Sequence, residues 1–120
     1  MSPLAAHEFS RIPLLGSLPG ERLAELAKRM ERKSVAPGDV LVEQGQSGER
    51  FYVVLSGLLE VTQVGRGKIN LLRPGDYFGE VALAMRMPRT ASVRVVTPAT
   101  VASCDRATFD EFVRPLFAED

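Results

Sequence analysis

Residues 51–63 read Phe-Tyr-Val-Val-Leu-Ser-Gly-Leu-Leu-Glu-Val-Thr-Gln. Phe51 to Leu55 is an unbroken run of aromatic and β-branched residues, Ser56-Gly57 is a turn pair, and Leu58 to Gln63 resumes as a second strand. The pattern repeats in both directions. Upstream, the turn Ala36-Pro37-Gly38-Asp39 leads into a strand at Val40 to Glu43. A polar loop, Gln44 to Arg50, follows with glycines at 45 and 48. Downstream, Val64-Gly65-Arg66-Gly67-Lys68 reads as a hairpin loop before a strand at Ile69 to Leu72. Arg73-Pro74-Gly75-Asp76 repeats the earlier turn chemistry, and Ser92 to Val96, Thr97-Pro98 and Thr100 to Asp105 complete the series. Short strands at this spacing, punctuated by Pro-Gly-Asp turns, predict a sandwich or barrel and not a parallel α/β sheet.

Helical patterns flank this β region. Residues 3–33 read as helical, with a break at Arg11-Ile12-Pro13 and a restart near Glu21 capped by Ser17 or a backbone group. Leu23, Leu26, Ala27 and Met30 recur on one face, opposite Arg22, Glu25, Lys28, Arg29 and Glu31. At the other end Asp105-Arg106-Ala107-Thr108 is a helix start, Phe109, Phe112 and Val113 share a face, and Pro115 is expected to end or kink the helix. The expected organisation is one domain over residues 1–120: a helical part at 3–33, a barrel at 34–105 and a C-terminal helix at 106–117.

Composition narrows the function classes. Fifteen basic and fifteen acidic residues cancel, so there is no basic excess for nucleic acid or an anionic membrane surface. No apolar run reaches the ~18 residues of a membrane span. Cys104 is the only cysteine and His7 the only histidine. That leaves no disulfide and no metal-ligand cluster, and argues against a metal-dependent cupin. Cys104 reads as a buried strand residue and His7 as a surface one. No nucleophile–base motif is present, so an enzyme is not expected. A cytoplasmic location is expected, alone or as a domain of a membrane protein.

One stretch departs from the strand pattern. Residues 77–93 read Y-F-G-E-V-A-L-A-M-R-M-P-R-T-A-S-V. A short helix starting at Gly79 would leave its first N–H groups free for an anion, and glycine would let that anion approach. Arg89 offers a planar fork of donors suited to phosphate, and Glu80 can accept hydrogen bonds from sugar hydroxyls. Each feature has an ordinary structural reading when taken alone: an acidic first turn, a surface arginine, a β-branched Thr90. Val81, Ala82 and Leu83 read as core residues by side chain, with backbone N–H groups able to face the anion. Arg86 reads as solvent-exposed.

F-G-E-V-A-L followed by P-R-T-A-S-V resembles the phosphate-binding cassette of cyclic nucleotide-binding domains. Such domains occur in protein kinase A regulatory subunits, the bacterial cyclic-AMP receptor protein and cyclic-nucleotide-gated channels. P-G-D-V-L-V-E-Q-G, F-Y-V-V-L-S-G-L-L-E-V and L-R-P-G-D-Y-F-G-E are similar to the family's strands and turns in order, over roughly residues 9–117. The resemblance implies a mainly β fold with flanking helices. That is an antiparallel jelly-roll β-barrel with N-terminal helices, a short internal phosphate-binding helix and a C-terminal helix. It implies that Glu80 binds the ribose 2′-hydroxyl and that Arg89 pairs with the cyclic phosphate. Backbone groups of Gly79, Val81, Ala82, Thr90 and Ala91 would assist. Thr90 stands where a hydroxyl can favour guanine. The expected ligand is cyclic AMP, with cyclic GMP open. The expected partner is an effector domain or protein outside this chain, and a bacterial source is expected with it. The family's long lid helix over the base is expected to be missing or truncated, since the chain stops at Asp120. The alternative is a degenerate domain of this type that serves for protein interaction or dimerisation.

Overall fold

The computed structural model describes Phe9 and residues 12–117. The expectations for residues 3–8, including a surface His7, lie outside the described residues. Among the described residues eight strands form two four-stranded antiparallel sheets, ordered β1-β8-β3-β6 and β2-β7-β4-β5. The strands are β1 (Glu31–Val35), β2 (Val40–Val42), β3 (Arg50–Ser56), β4 (Leu59–Gln63), β5 (Gly67–Leu72), β6 (Tyr77–Phe78), β7 (Ser92–Val95) and β8 (Ala99–Asp105). Helix α1 (Gly20–Arg29) precedes them, α2 (Glu80–Met85) interrupts them, and a helical segment over 106–117, α3, follows. This is the mainly β jelly roll with flanking helices that the sequence implied.

The unbroken apolar run of β3 follows from its position. Val54 faces the second sheet, in a core with Val42, Leu59, Leu72, Phe78, Val93 and Val95. Phe51 and Val53 point the other way, into a second core with Leu26, Phe109 and Phe112 of the helices. A central strand covered on both faces has no solvent side to mark with polar residues. The two Pro-Gly-Asp turns do the same job at two places. Asp39 Oδ2 accepts from Ala36 N at 2.9 Å, and Asp76 Oδ2 accepts from Arg73 N at 2.8 Å. Gly38 N donates to Val95 O and Val95 N to Asp39 O. Gly75 N donates to Val54 O and Val54 N to Asp76 O. Each turn therefore docks on one valine of a neighbouring strand.

One expectation is corrected and two are narrowed to one of their alternatives. The helical part does not extend to residue 33: the chain leaves α1 at Met30, and Glu31–Val35 is a strand paired along its whole length with β8. Glu31-Arg32-Lys33-Ser34 lacks an apolar face because β1 is a sheet edge, where charged side chains are the normal guard against further pairing. Nor does Pro115 end the C-terminal helix. After Arg106–Thr108 and a π turn at Phe109–Val113, Arg114–Phe117 continues as helix. Proline cannot donate back along the helix to the Glu111 carbonyl, and Arg22 Nη2 donates to that oxygen from α1 at 3.4 Å. The Arg22 and Arg29 guanidiniums also lie over the Phe112 ring, 4.1 and 5.0 Å from its centroid. Finally, α1 has no side-chain cap: Pro19 is its N-cap, and the Ser17 hydroxyl donates to Leu14 O instead.

Candidate functional site

The Gly79–Ala91 stretch folds against the 44–50 loop. Two backbone bonds fasten them: Arg89 N donates to Gln46 O at 2.8 Å, and Gly45 N donates to Arg89 O at 2.9 Å. Gly79 is the N-cap of α2 and has φ +96, a conformation open to glycine. At the far end Arg86 closes the helix in the left-handed region, with φ 53, and is exposed. The start of α2 leaves the first N–H groups without intrahelical partners.

Arg89 is the centre of this arrangement. It is 7% exposed. Its Nη1 donates to Gly79 O at 3.2 Å and its Nη2 to Arg50 O at 2.9 Å. Both acceptors are neutral carbonyls, and no carboxylate lies within 4.0 Å of the guanidinium among the described residues. A buried cation is ordinarily neutralised by a counter-ion, because desolvation of the charge is costly. Burial accordingly pulls the Arg89 guanidinium below its usual pKa, offset by Tyr52, Glu49 and Glu80. Gly48 makes room for the side chain: a Cβ there would stand 2.8 Å from Arg89 Cζ and 2.5 Å from the Ala82 Cβ.

Gly79, Glu80, Val81, Ala82, Arg89, Thr90 and Ala91 all line one open cavity of about 190 Å³. Thr90 is exposed at its mouth, and Ala82 is buried. Val81 is corrected from a core residue to a wall residue, 39% exposed, because the first turn of α2 turns its outer face to the cavity. Sequence reading missed the remaining wall. It comes from Val42, Val61, Asn70, Leu72 and Val93 on the strands, with Tyr77 and Phe78. Only the strand pairing, which no local motif announces, brings these side chains beside Arg89. Among the described residues no group of three or more His, Cys, Asp or Glu gathers to hold a metal. Cys104 is buried and free, its thiol pushed up to about 12 by desolvation, so it offers no thiolate at neutral pH.

Burial also raises the Glu80 carboxyl above the usual range, while its own backbone N–H and the Arg89 charge pull the other way. A carboxyl raised in the folded state stabilises the fold below its unfolded pKa, and that contribution is lost as pH rises through the folded value. Ionised Glu80 therefore costs the ligand-free protein stability near neutrality. Glu80→Gln is expected to melt higher than the parent near pH 7. The gap should close as pH falls below about 4.3, where both side chains are neutral. Thermal melts across that range check this, and a gap that widens toward low pH would contradict it.

The far end of α2 meets the C-terminal helix. Arg106 Nη1 and Arg114 Nη2 both donate to Leu83 O at 3.1 Å, and Arg114 Nη1 donates to Ala84 O at 3.2 Å. One six-residue helix thus borders the cavity at its start and holds α3 at its end.

The family model described as "cyclic nucleotide-binding domain" matches residues 32–115. The chain belongs to this family. Curated relatives of this cyclic nucleotide-binding domain include cAMP-dependent protein kinase regulatory subunits from Debaryomyces hansenii and Yarrowia lipolytica. The first is 35% identical over 104 residues, 87% of this chain and 23% of the relative. The second is 37% identical over 109 residues, 90% of this chain and 29% of the relative. The domain thus spans roughly a quarter of the length of these relatives. Among solved structures it is similar to the regulatory domain of Toxoplasma gondii protein kinase A with cAMP. That match has a TM-score of 0.87 at 25% identity, covering 92% of this chain and 44% of that one. The bacterial source expected from the sequence is corrected by this finding, since the matching relatives are eukaryotic kinase subunits. Among the described residues no helix is long and apolar enough to cross a membrane.

Proposed function

We propose that this domain is a regulatory module that binds a purine 3′,5′-cyclic nucleotide in the cavity beside Arg89, cyclic AMP first among them and cyclic GMP as competitor. The observation that carries the reading is the Arg89 guanidinium, buried at the cavity wall with two carbonyls for partners and no counter-ion. The cyclic phosphate supplies the missing charge. It lies against the guanidinium and the free N–H groups at Val81, Ala82, Thr90 and Ala91, and Gly79 leaves it room. Glu80 accepts from the ribose 2′-hydroxyl, which offsets the cost of its buried charge. The cavity is smaller than the ~300–1,000 Å³ of pockets that enclose a drug-sized ligand. It therefore suits the phosphate and sugar, with the base toward the mouth.

The output runs through α2. A ligand that draws its start toward Arg89 shifts the Leu83 and Ala84 carbonyls that hold Arg106 and Arg114, and so shifts α3. The ligand drives this only by the difference in its affinity for the two arrangements. The partner is a cytoplasmic effector, a kinase catalytic subunit or an attached domain, and the module itself performs no chemistry. The regulatory subunits among its relatives support that role. Titration calorimetry with cyclic AMP and cyclic GMP tests the reading. Saturable one-site binding is expected. No heat from either at millimolar ligand, with an assembly that survives Glu80→Ala and Arg89→Ala together, would favour the degenerate interaction module instead.

A further inference from the structure

Strand β4 keeps its two neighbours for unequal lengths. Its ladder to β5 runs to the pair Gln63–Gly67, but its ladder to β7 stops one residue earlier, at Thr62–Ser92. On the N-terminal side of Ser92 the chain leaves the sheet toward Arg89, whose N–H and carbonyl are taken by Gln46 O and Gly45 N. Thr90 and Ala91 bridge the two, and both line the cavity. Among the described residues their main chain has one hydrogen-bond partner, and it is a side chain: Gln63 Nε2 donates to Thr90 O at 3.0 Å.

A further rung of the β4–β7 ladder would have committed main-chain groups of this bridge to the sheet. The Gln63 side chain takes the place of that rung and leaves the Ala91 N–H without a partner among the described residues. A trans peptide is planar, so its C=O and N–H point in opposite directions. With Thr90 O turned to Gln63, the Ala91 N–H of the same plane is turned away from the β4–β5 hairpin. The carboxamide is itself oriented: Arg66 Nη1 donates to Gln63 Oε1 at 3.2 Å, which keeps Nε2 for the carbonyl. The hairpin is held in turn by Gln44. Its Oε1 accepts from Val64 N at 2.9 Å, and its own N–H donates to Ser92 Oγ at 2.9 Å.

From this arrangement we propose that Gln63 is a positioning residue for the phosphate seat: its carboxamide fixes the Thr90–Ala91 peptide so that the Ala91 N–H stays free and aligned for an anion held by Arg89. Gln63 touches no ligand in this role. It acts by preorganisation, since a peptide already held in place loses little freedom when the phosphate arrives. Two anchors then flank the seat. The 44–50 loop fixes Arg89, and the β4–β5 hairpin fixes the two residues after it. No local motif marks Gln63, because it ends an ordinary strand and its partner lies 27 residues along the chain.

The proposal rests on a cyclic nucleotide occupying the cavity, and the test separates the two. Gln63→Met and Gln44→Met are compared with the parent, each change keeping side-chain length and removing the carboxamide. Dissociation constants for cyclic AMP are measured by calorimetry, and backbone N–H shifts by NMR at saturating ligand. Gln63→Met is expected to bind cyclic AMP roughly three- to tenfold more weakly, the size of one hydrogen bond. Its ligand-induced Ala91 N–H shift is expected to shrink, while those of Val81 and Ala82 are kept. A general loosening of the fold would not single out Ala91 in this way. Gln44→Met loosens the same hairpin but leaves the Thr90 carbonyl bonded, so an affinity within about twofold of the parent is expected. An unchanged affinity in Gln63→Met, an Ala91 shift that persists at full size, or an equal loss in Gln44→Met would each overturn the role of Gln63. A parent that binds no cyclic AMP would overturn the nucleotide reading itself, and this inference with it.

Discussion

Arg89→Ala is expected to weaken cyclic nucleotide binding by roughly 100- to 1,000-fold, the range for removing one partner of a buried, hydrogen-bonded charge pair. The size follows from where the guanidinium sits. It is 7% exposed and held by Gly79 O and Arg50 O, so it is oriented before ligand arrives and loses little freedom on binding. Alanine removes the charge and leaves both carbonyls without their donor, so a lower melting temperature is expected as well. Arg89→Lys separates the two effects. It keeps a positive charge but cannot span both carbonyls and the phosphate, and an intermediate loss is expected. Calorimetry on variants shown by circular dichroism to be folded makes the comparison. Affinity unchanged in folded Arg89→Ala would mean that Arg89 is not the phosphate partner.

Gly79→Ala is expected to damage both the fold and the site. A Cβ there would stand 2.8 Å from Arg50 O and 2.9 Å from Arg89 Nη1, at φ +96. The left-handed backbone alone costs an L-residue about 1–2 kcal/mol. The close contacts add to this, because Arg50 O is backbone and cannot swing away. A melting temperature lower by roughly 5 °C or more is expected, together with weaker nucleotide binding as the displaced guanidinium loses its alignment. Gly20→Ala is the matched control. No heavy atom lies within 4 Å of a Cβ at Gly20, which opens α1, so little change is expected. Equal melting temperatures for the two variants would contradict the tight packing of Gly79 on Arg89.

Much of this was legible in the chain. Central strand β3 announced itself as an apolar run because both its faces are covered. The Pro-Gly-Asp turns announced themselves because the turn needs glycine at φ +93 and +99 and an aspartate to accept the turn's N–H. The cassette was readable because Gly79, Glu80 and Arg89 are close in sequence as well as in space. What escaped was set by tertiary pairing. Strand β1 is made of charged edge residues and exists through its ladder to β8. The Arg114 contact to the α2 carbonyls, the Gly48 approach to Arg89 and the Val42–Val93–Val61–Asn70 wall each join residues far apart in the chain. At Pro115, where an end or a kink was expected, the helix runs on to Phe117 after a π turn, and Arg22 satisfies the Glu111 carbonyl that proline leaves without a donor.

The central claim is that the start of α2 and the Arg89 guanidinium together form the phosphate seat. It is tested most directly by amide and guanidinium NMR on the isotopically labelled domain during titration with cyclic AMP. The account predicts that the largest shifts fall on the backbone N–H groups of Val81, Ala82, Thr90 and Ala91 and on the Arg89 side-chain N–H groups, saturating together. Shifts that leave these groups unmoved, or that cluster on another face of the barrel, would contradict it.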